Sequence, residues 1–371
     1  MNSFQKIQKN FGFGFMRLPK IGEELDIPQI TAMVDAFMAA GFNYFDTAHG
    51  YLETLSEPTL KKTLVDRYPR ESYVMTNKLS ASYFEKEEDI RPFFEAQLKT
   101  CGVEYFDFYL MHAQDAENFK KYKACRAYET ALALKEEGKI NHVGISFHDT
   151  AAVLDQILTE YPQIEVVQIQ FNYLDFDDPA VQSRQCYAVC RKHGKPVIVM
   201  EPVKGGKLAV LTPDAQQVIS ALNGGSPASY AVRFAADHEG MLMVLSGMST
   251  LEMVQENCSF MADFQPLNEE EKEAIRKVCA IIRSQDLIGC TACRYCVDGC
   301  PASIDIPSLF ACLNNRKQFG DFNSGYYYGL HTQSGGKPAD CVECGQCEAI
   351  CPQHLPIRQL LKTVAAEFEK N

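Results

Sequence analysis

The sequence predicts an α/β fold: a (β/α)8 TIM barrel followed by a small C-terminal module of short helices and loops. Three observations point to it. Eight short apolar runs alternate with amphipathic stretches of helix length up to about residue 262, no G-x-G-x-x-G follows the first run, and cysteines recur in two runs of one spacing after residue 289. Near-continuous apolar strands between helices imply parallel strands covered by helices. Eight such units in about 250 residues suit a closed barrel better than an open doubly wound sheet.

The expected strands are Phe13–Leu18, Tyr44–Thr47, Tyr73–Lys78, Phe106–His112, His142–Phe147, Val166–Asn172, Pro196–Val203 and Met243–Gly247. Helical periodicity marks Pro28–Ala40, Lys86–Thr100, Phe119–Glu137, Pro179–Lys192 and Thr250–Met261 between them. The barrel is assigned to residues 1–265 and the second domain to residues 266–371. Asn268 with Glu271 three residues later reads as a capping box opening a helix to about Arg283. That helix enters the cysteine region with no Gly/Ser linker, so the second domain is expected to dock rather than swing. Residues 320–338 read as a loop, and a last amphipathic helix spans Ile357–Glu369.

The formal charge of −12 excludes the basic footprint of a nucleic-acid binder. No run of 18 apolar residues is present and residues 1–10 lack the apolar core of a signal peptide, so neither a membrane nor export is expected. Fifteen cysteines in a chain of the reducing cytoplasm are economical only if many bind metal.

Eight of them form Cys290-x-x-Cys293-x-x-Cys296-x-x-x-Cys300-Pro301 and Cys341-x-x-Cys344-x-x-Cys347-x-x-x-Cys351-Pro352. Three closely spaced thiolates serve three irons of one cube, and in two-cluster ferredoxins the fourth Cys of each run ligates the other cube. Cys290, Cys293, Cys296 and Cys351 are therefore assigned to one [4Fe–4S] cluster, and Cys341, Cys344, Cys347 and Cys300 to the other. The second domain is accordingly a ferredoxin-like iron–sulfur domain. Zinc sites or a disulfide framework are the alternatives, as are clusters with a purely structural role. The remaining seven (Cys101, Cys125, Cys186, Cys190, Cys258, Cys279, Cys312) read as small buried hydrophobes.

Barrel active sites form at the C-terminal ends of strands. Three successive expected strands end in ionisable residues, Asp46, Lys78 and His112, and Tyr51 follows Asp46 closely. In order and spacing these four resemble the catalytic tetrad of the aldo-keto reductases. The resemblance covers about residues 11–262, through GFGFMRLP, FDTAHGY, TNKL, FYLMH, VGIS and EPVKGG. With its tail, the chain resembles the subgroup carrying a ferredoxin-like extension.

The resemblance implies that Tyr51 protonates a carbonyl oxygen as hydride reaches its carbon, with His112 steering the substrate. Lys78, oriented by Asp46, is expected to lower the Tyr51 pKa from about 10. It also implies NAD(P)H. Ser146 and Gln168 match positions that bond the nicotinamide carboxamide, and Glu256 and Asn257 match adenine contacts. Lys204, Gly205 and Gly206, or Gly247 with Ser249, are candidate phosphate sites from backbone N–H groups, and an ordinary turn is the alternative for the glycine pair. Three positions depart from the pattern. Phe147 stands where Asn follows the Ser, Met200 replaces an aromatic that stacks on nicotinamide, and Met253 replaces the Arg that clasps the NADPH 2′-phosphate.

Clusters pass single electrons and nicotinamide passes a hydride. Three functions follow. The first is a nicotinamide-dependent reductase of a small carbonyl compound, with clusters for electron transfer. The second is a flavin- or ferredoxin-linked reductase whose clusters feed the barrel. The third is a non-catalytic electron carrier or redox sensor. A redox partner protein is expected in the last two.

Overall fold

The computed structural model describes residues 3–178, 181–222, 224–284, 286–319, 324–333 and 335–369. Two compact units divide the chain. One comprises Met1–Asp178, Gln182–Pro202 and Ala231–Leu267; the other comprises Pro179–Val181, Val203–Tyr230 and Asn268–Asn371.

In the first unit, eight apolar segments become strands that bond only to parallel neighbours and close on themselves. They are β1 (Phe11–Gly14), β2 (Tyr44–Asp46), β3 (Val74–Leu79), β4 (Phe106–Gln114), β5 (Ile140–Phe147), β6 (Val166–Gln170), β7 (Val197–Met200) and β8 (Met241–Ser246). The expected barrel is present. β1 is a correction, ending at Gly14 rather than Leu18. Phe15 and Leu18 are buried apolar residues, so their hydrophobicity carries the pattern past the strand into a packed loop. The single helix expected over 119–137 is two, Ala116–Ala124 and Ala127–Glu136. Arg126 between them takes φ 52°, a left-handed backbone that stops helical bonding.

Tyr44, Val74, Phe108, Leu110, Val166, Ile198, Met243 and Leu245 fill one cluster of the core. Phe4 and Ile7 pack against this cluster from the N-terminal segment, which opens with a short helix, Ser3–Lys6. Beside them Asp107, the second residue of β4, accepts from Ser3 Oγ at 2.8 Å, Lys6 Nζ at 3.0 Å, Arg70 Nη2 at 2.7 Å and the Met75 amide at 2.9 Å. Burial alone would raise the Asp107 carboxyl, but Arg70, Lys6 and that amide hold it below its ordinary value.

In the second unit, helix Glu269–Ser284 begins at the expected capping box. The Asn268 amide donates to Glu271 Oε2 at 2.8 Å, and the Glu271 amide to Asn268 Oδ1 at 2.9 Å. This helix packs on Pro213–Ser220. Helices Ile306–Phe319 and Ile357–Phe368 bury Ile306, Leu309, Phe310, Leu313, Leu361 and Val364 together with Cys296 and Cys351. Ser324–Gln333 is a helix where a loop was expected; residues 320–323 and 334 of that expectation lie outside the described residues. Residues 179 and 180 of the expected helix Pro179–Lys192 also lie outside them; the rest is helical over Ser183–Lys192. Among the described residues no helix is long and apolar enough to cross a membrane.

Candidate functional site

Three adjacent strands deliver the charged residues of the barrel site. Asp46 closes β2, Lys78 is next to last in β3, and His112 lies two residues from the end of β4. Parallel pairing of β2 with β3 and of β3 with β4 sets these ends side by side. Lys78 Nζ donates to Asp46 Oδ1 at 2.6 Å and to the Thr47 carbonyl oxygen at 2.8 Å. It sits 4.9 Å from the Tyr51 ring centroid. The Tyr51 and His112 rings meet edge to face at 5.9 Å. All four residues therefore converge, with Lys78 and Asp46 buried and Tyr51 partly accessible.

Burial pushes the Asp46 carboxyl up and the Lys78 amine down, each toward its neutral form, and their 2.6 Å contact opposes both. For Tyr51 the expectation of a lowered pKa is corrected. Burial, then the Asp46 charge, hold the phenol well above its ordinary value, and Arg17 opposes them. Lys78 is held by Asp46 at 2.6 Å, and that ion pair moderates its effect on the ring. The phenol is protonated at neutral pH, as a proton donor requires. Burial, then the Lys78 and His148 charges, hold His112 well below its ordinary value, so its imidazole is neutral.

Sequence reasoning missed two residues here. Ser80 Oγ lies 2.6 Å from His112 Nδ1, a contact that holds the ring. Its only signal is a hydroxyl two residues after Lys78. Arg17 acts on the Tyr51 phenol and borders Gly247, where a Cβ would lie 3.3 Å from its Cδ.

The expected cofactor residues fall in two places. In the barrel unit, Ser146 and Gln168 are paired in register on β5 and β6. Ser146 Oγ accepts from the Ala113 amide at 2.8 Å, and Gln168 Nε2 reaches Asp46 Oδ2 at 3.4 Å. Met200 ends β7, half-buried, and Phe147 ends β5, buried. Past β8, Ser249 Oγ donates to the Arg17 carbonyl oxygen at 2.8 Å, and buried Asn257 donates to Ser246 Oγ at 3.3 Å. Glu256 and Met253 are exposed on the helix Leu251–Ala262. Lys204, Gly205 and Gly206 instead belong to the second unit, where Lys204 Nζ donates to Gln353 Oε1 at 2.7 Å.

The second unit holds two cysteine-lined cavities. Cys290, Cys293, Cys296 and Cys351 line the first; Cys300, Cys341, Cys344 and Cys347 line the second. The fourth cysteine of each run thus faces the cavity of the other run. None of the fifteen cysteines is in a disulfide, and the seven scattered ones are buried. Among the described residues no three His, Cys, Asp or Glu side chains converge as a single metal ion would need. Thiols spaced around a cavity suit a multi-iron cube better than one zinc. Burial, then the charges of Cys293, Cys290 and Cys351, push the Cys296 thiol up to about 12. A cationic group in the cavity relieves that repulsion, so the donor set fits a cluster.

The family model for the aldo/keto reductase family matches residues 10–280. The chain belongs to the aldo/keto reductase family. A 4Fe-4S dicluster domain matches residues 289–355 of the same chain. This aldo/keto reductase is 27% identical over 185 residues to an NADH-specific methylglyoxal reductase of Escherichia coli (strain K12), covering 45% of this chain and 54% of that one. The chain therefore spans about half the length of that relative. It is 25% identical to an L-galactose dehydrogenase of Arabidopsis thaliana, covering 73% of this chain and 89% of that one. An aldo-keto reductase from Klebsiella pneumoniae, solved in complex with NADPH, shares the fold with a TM-score of 0.58 at 20% identity, over 72% of this chain and 90% of that one. The protein is an oxidoreductase of this family with an iron–sulfur domain.

Proposed function

We propose that this oxidoreductase reduces the carbonyl group of a small molecule, with Tyr51 as proton donor, and that its eight clustered cysteines hold two [4Fe–4S] clusters that carry electrons. The observation that carries the barrel reading is the convergence of Tyr51, Lys78, Asp46 and His112 around one buried ion pair. When bound, a nicotinamide cofactor supplies the hydride, two electrons and one proton, to the carbonyl carbon. Tyr51 gives the second proton to the carbonyl oxygen, which balances ketone or aldehyde to alcohol. His112, neutral and turned by Ser80, donates a hydrogen bond to that oxygen and orients it. Lys78 then stabilises the tyrosinate left behind, and Asp46 holds Lys78 in place.

Ser146 and Gln168 offer the hydroxyl and amide that a nicotinamide carboxamide needs, side by side and next to Asp46. Exposed Met253 brings no charge for a 2′-phosphate, which favours NADH. The E. coli relative is likewise NADH-specific. We assign residues 1–265 to the catalytic barrel and 266–371 to the cluster domain, in a reducing compartment that suits cysteines outside disulfides.

Phe147, across from Ile169, and Met200, across from Gln170, depart from the family's nicotinamide contacts and favour a second reading. There a flavin replaces nicotinamide, and the clusters, as one-electron carriers, feed it from a redox partner protein. Anaerobically purified protein distinguishes the two. Broad iron–sulfur absorption with NADH-driven aldehyde reduction, abolished in Tyr51→Phe, supports the first; bands of bound flavin sink it.

A further inference from the structure

Two cationic side chains of the second unit lie outside the proposed reaction. Gly205 has φ +64°, and a Cβ there would lie 2.5 Å from the Thr291 carbonyl oxygen. Only glycine lets these two backbones meet. Thr291 follows Cys290 and lines the same cavity as Cys290, Cys293, Cys296 and Cys351. The contact brings Lys204, 5% exposed, to Gln353 on the wall of that cavity, with Nζ 2.7 Å from Oε1. Lys207 donates to the Ile288 carbonyl oxygen at 2.9 Å, two residues before Cys290, and its ammonium is under the field of both Cys290 and Lys204. Two ammonium groups held together and partly out of water are unfavourable unless negative charge offsets them.

The two cavities differ in their surroundings. Two ligands of the first, Cys296 and Cys351, are buried, whereas the second has an exposed ligand in Cys344. Arg358 lines the second cavity but is tied to Glu348 at 2.7 Å, and Arg294 lines the first but lies 3.1 Å from Asp305. Neither arginine therefore adds much net charge. Reduction adds an electron to an already anionic cube, and burial opposes that step. Lys207 meets this cost with a positive charge whose hydrogen-bond partner is a neutral carbonyl.

On the two-cluster reading above, we propose that Lys207 together with Lys204 compensates the charge of the cluster held by Cys290, Cys293, Cys296 and Cys351, raising its reduction potential so that it is reducible despite its burial. The lysines act through the field, not as ligands.

The test is a potentiometric titration of anaerobically purified holoprotein read by electron paramagnetic resonance. Lys207→Gln is expected to make one of two reduction steps about tenfold less favourable, about 59 mV for a one-electron couple, and to leave the other in place. Lys207→Arg keeps the charge and restores the step. A Lys207→Gln titration that superimposes on the unmodified protein overturns the proposal. So does an equal displacement in Lys207→Arg, which marks a packing role. Should Lys207→Gln lose iron, Lys207→Met retains the stem and is titrated with the same expectation. An iron content short of two cubes in the unmodified chain counts instead against the two-cluster reading.

Discussion

The barrel unit buries two aspartates on the strands that flank β3, and they are treated in opposite ways. Asp107, at the start of β4, is surrounded by donors: Ser3, Lys6, Arg70 and the Met75 amide. Its carboxyl is held below the ordinary value. Asp46, at the end of β2, has Lys78 at 2.6 Å and Gln168 at a long 3.4 Å, and burial wins, raising it. The first end of the barrel is saturated with hydrogen bonds and serves stability. The second is left under-satisfied beside a protonated phenol and a neutral imidazole, and on the proposed function it is the end where chemistry occurs.

Substitutions at the two ends should separate cleanly. The largest effect is expected at the chemical end. Tyr51→Phe and Lys78→Met each lose roughly 10²–10⁴-fold in kcat/KM, and Tyr51→Phe leaves the urea midpoint unchanged. At the other end, Asp107→Asn removes a fully hydrogen-bonded buried charge and strands Lys6 and Arg70. It costs about 3–5 kcal/mol in urea unfolding and leaves kcat/KM of the folded fraction intact. Equal stability losses at both ends would break the comparison.

Titration sharpens it. Asp107 has a folded pKa below its ordinary 3.8, so its contribution is present above that value and is lost as pH falls through the lower folded one. Asp46 has the opposite sign: its raised folded value makes folding take up a proton as pH falls, which opposes the Asp107 loss. Unfolding free energy measured from pH 7 down should therefore fall below about pH 4 in the unmodified protein, and less steeply in Asp107→Asn. His112, held well below 6.5, should give kcat/KM no inflection at that value. A bend near 6.5 that disappears in His112→Gln would contradict a neutral imidazole. The smallest effect is at Ser80. Ser80→Ala is expected to lower kcat/KM by about 3–10-fold through loss of one orienting hydrogen bond, with Ser80→Thr recovering most of it.

Much of this was legible because barrel strands are apolar on both faces and the ionisable residues of the candidate site sit at their ends. YFD, TNKL and FYLMH announce Asp46, Lys78 and His112 without any tertiary information. The cysteine spacing likewise announced which four thiols share each cavity. What remained hidden depends on long-range packing. Phe15 and Leu18 look like strand residues because they are buried, yet they lie in a loop. The segment Ser3–Lys6 has no helical period to read, although it supplies two of Asp107's donors. Ser324–Gln333 is a helix in which Gly, Tyr and Ser make up six of ten residues, a composition that argues for a loop. Lys204 to Gly206 looked like a phosphate turn, and only the closeness of Gly205 to Thr291 reveals its company with the cysteines.

Delivery of hydride and proton to a carbonyl at the under-satisfied end of the barrel is the step proposed above. It is tested most directly by incubating the anaerobic holoprotein with deuterated NADH and a small aldehyde, then locating the label in the alcohol. One deuterium at the former carbonyl carbon, absent in Tyr51→Phe, is the expected result. An unlabelled alcohol, formed only when the clusters are reduced chemically, would contradict it.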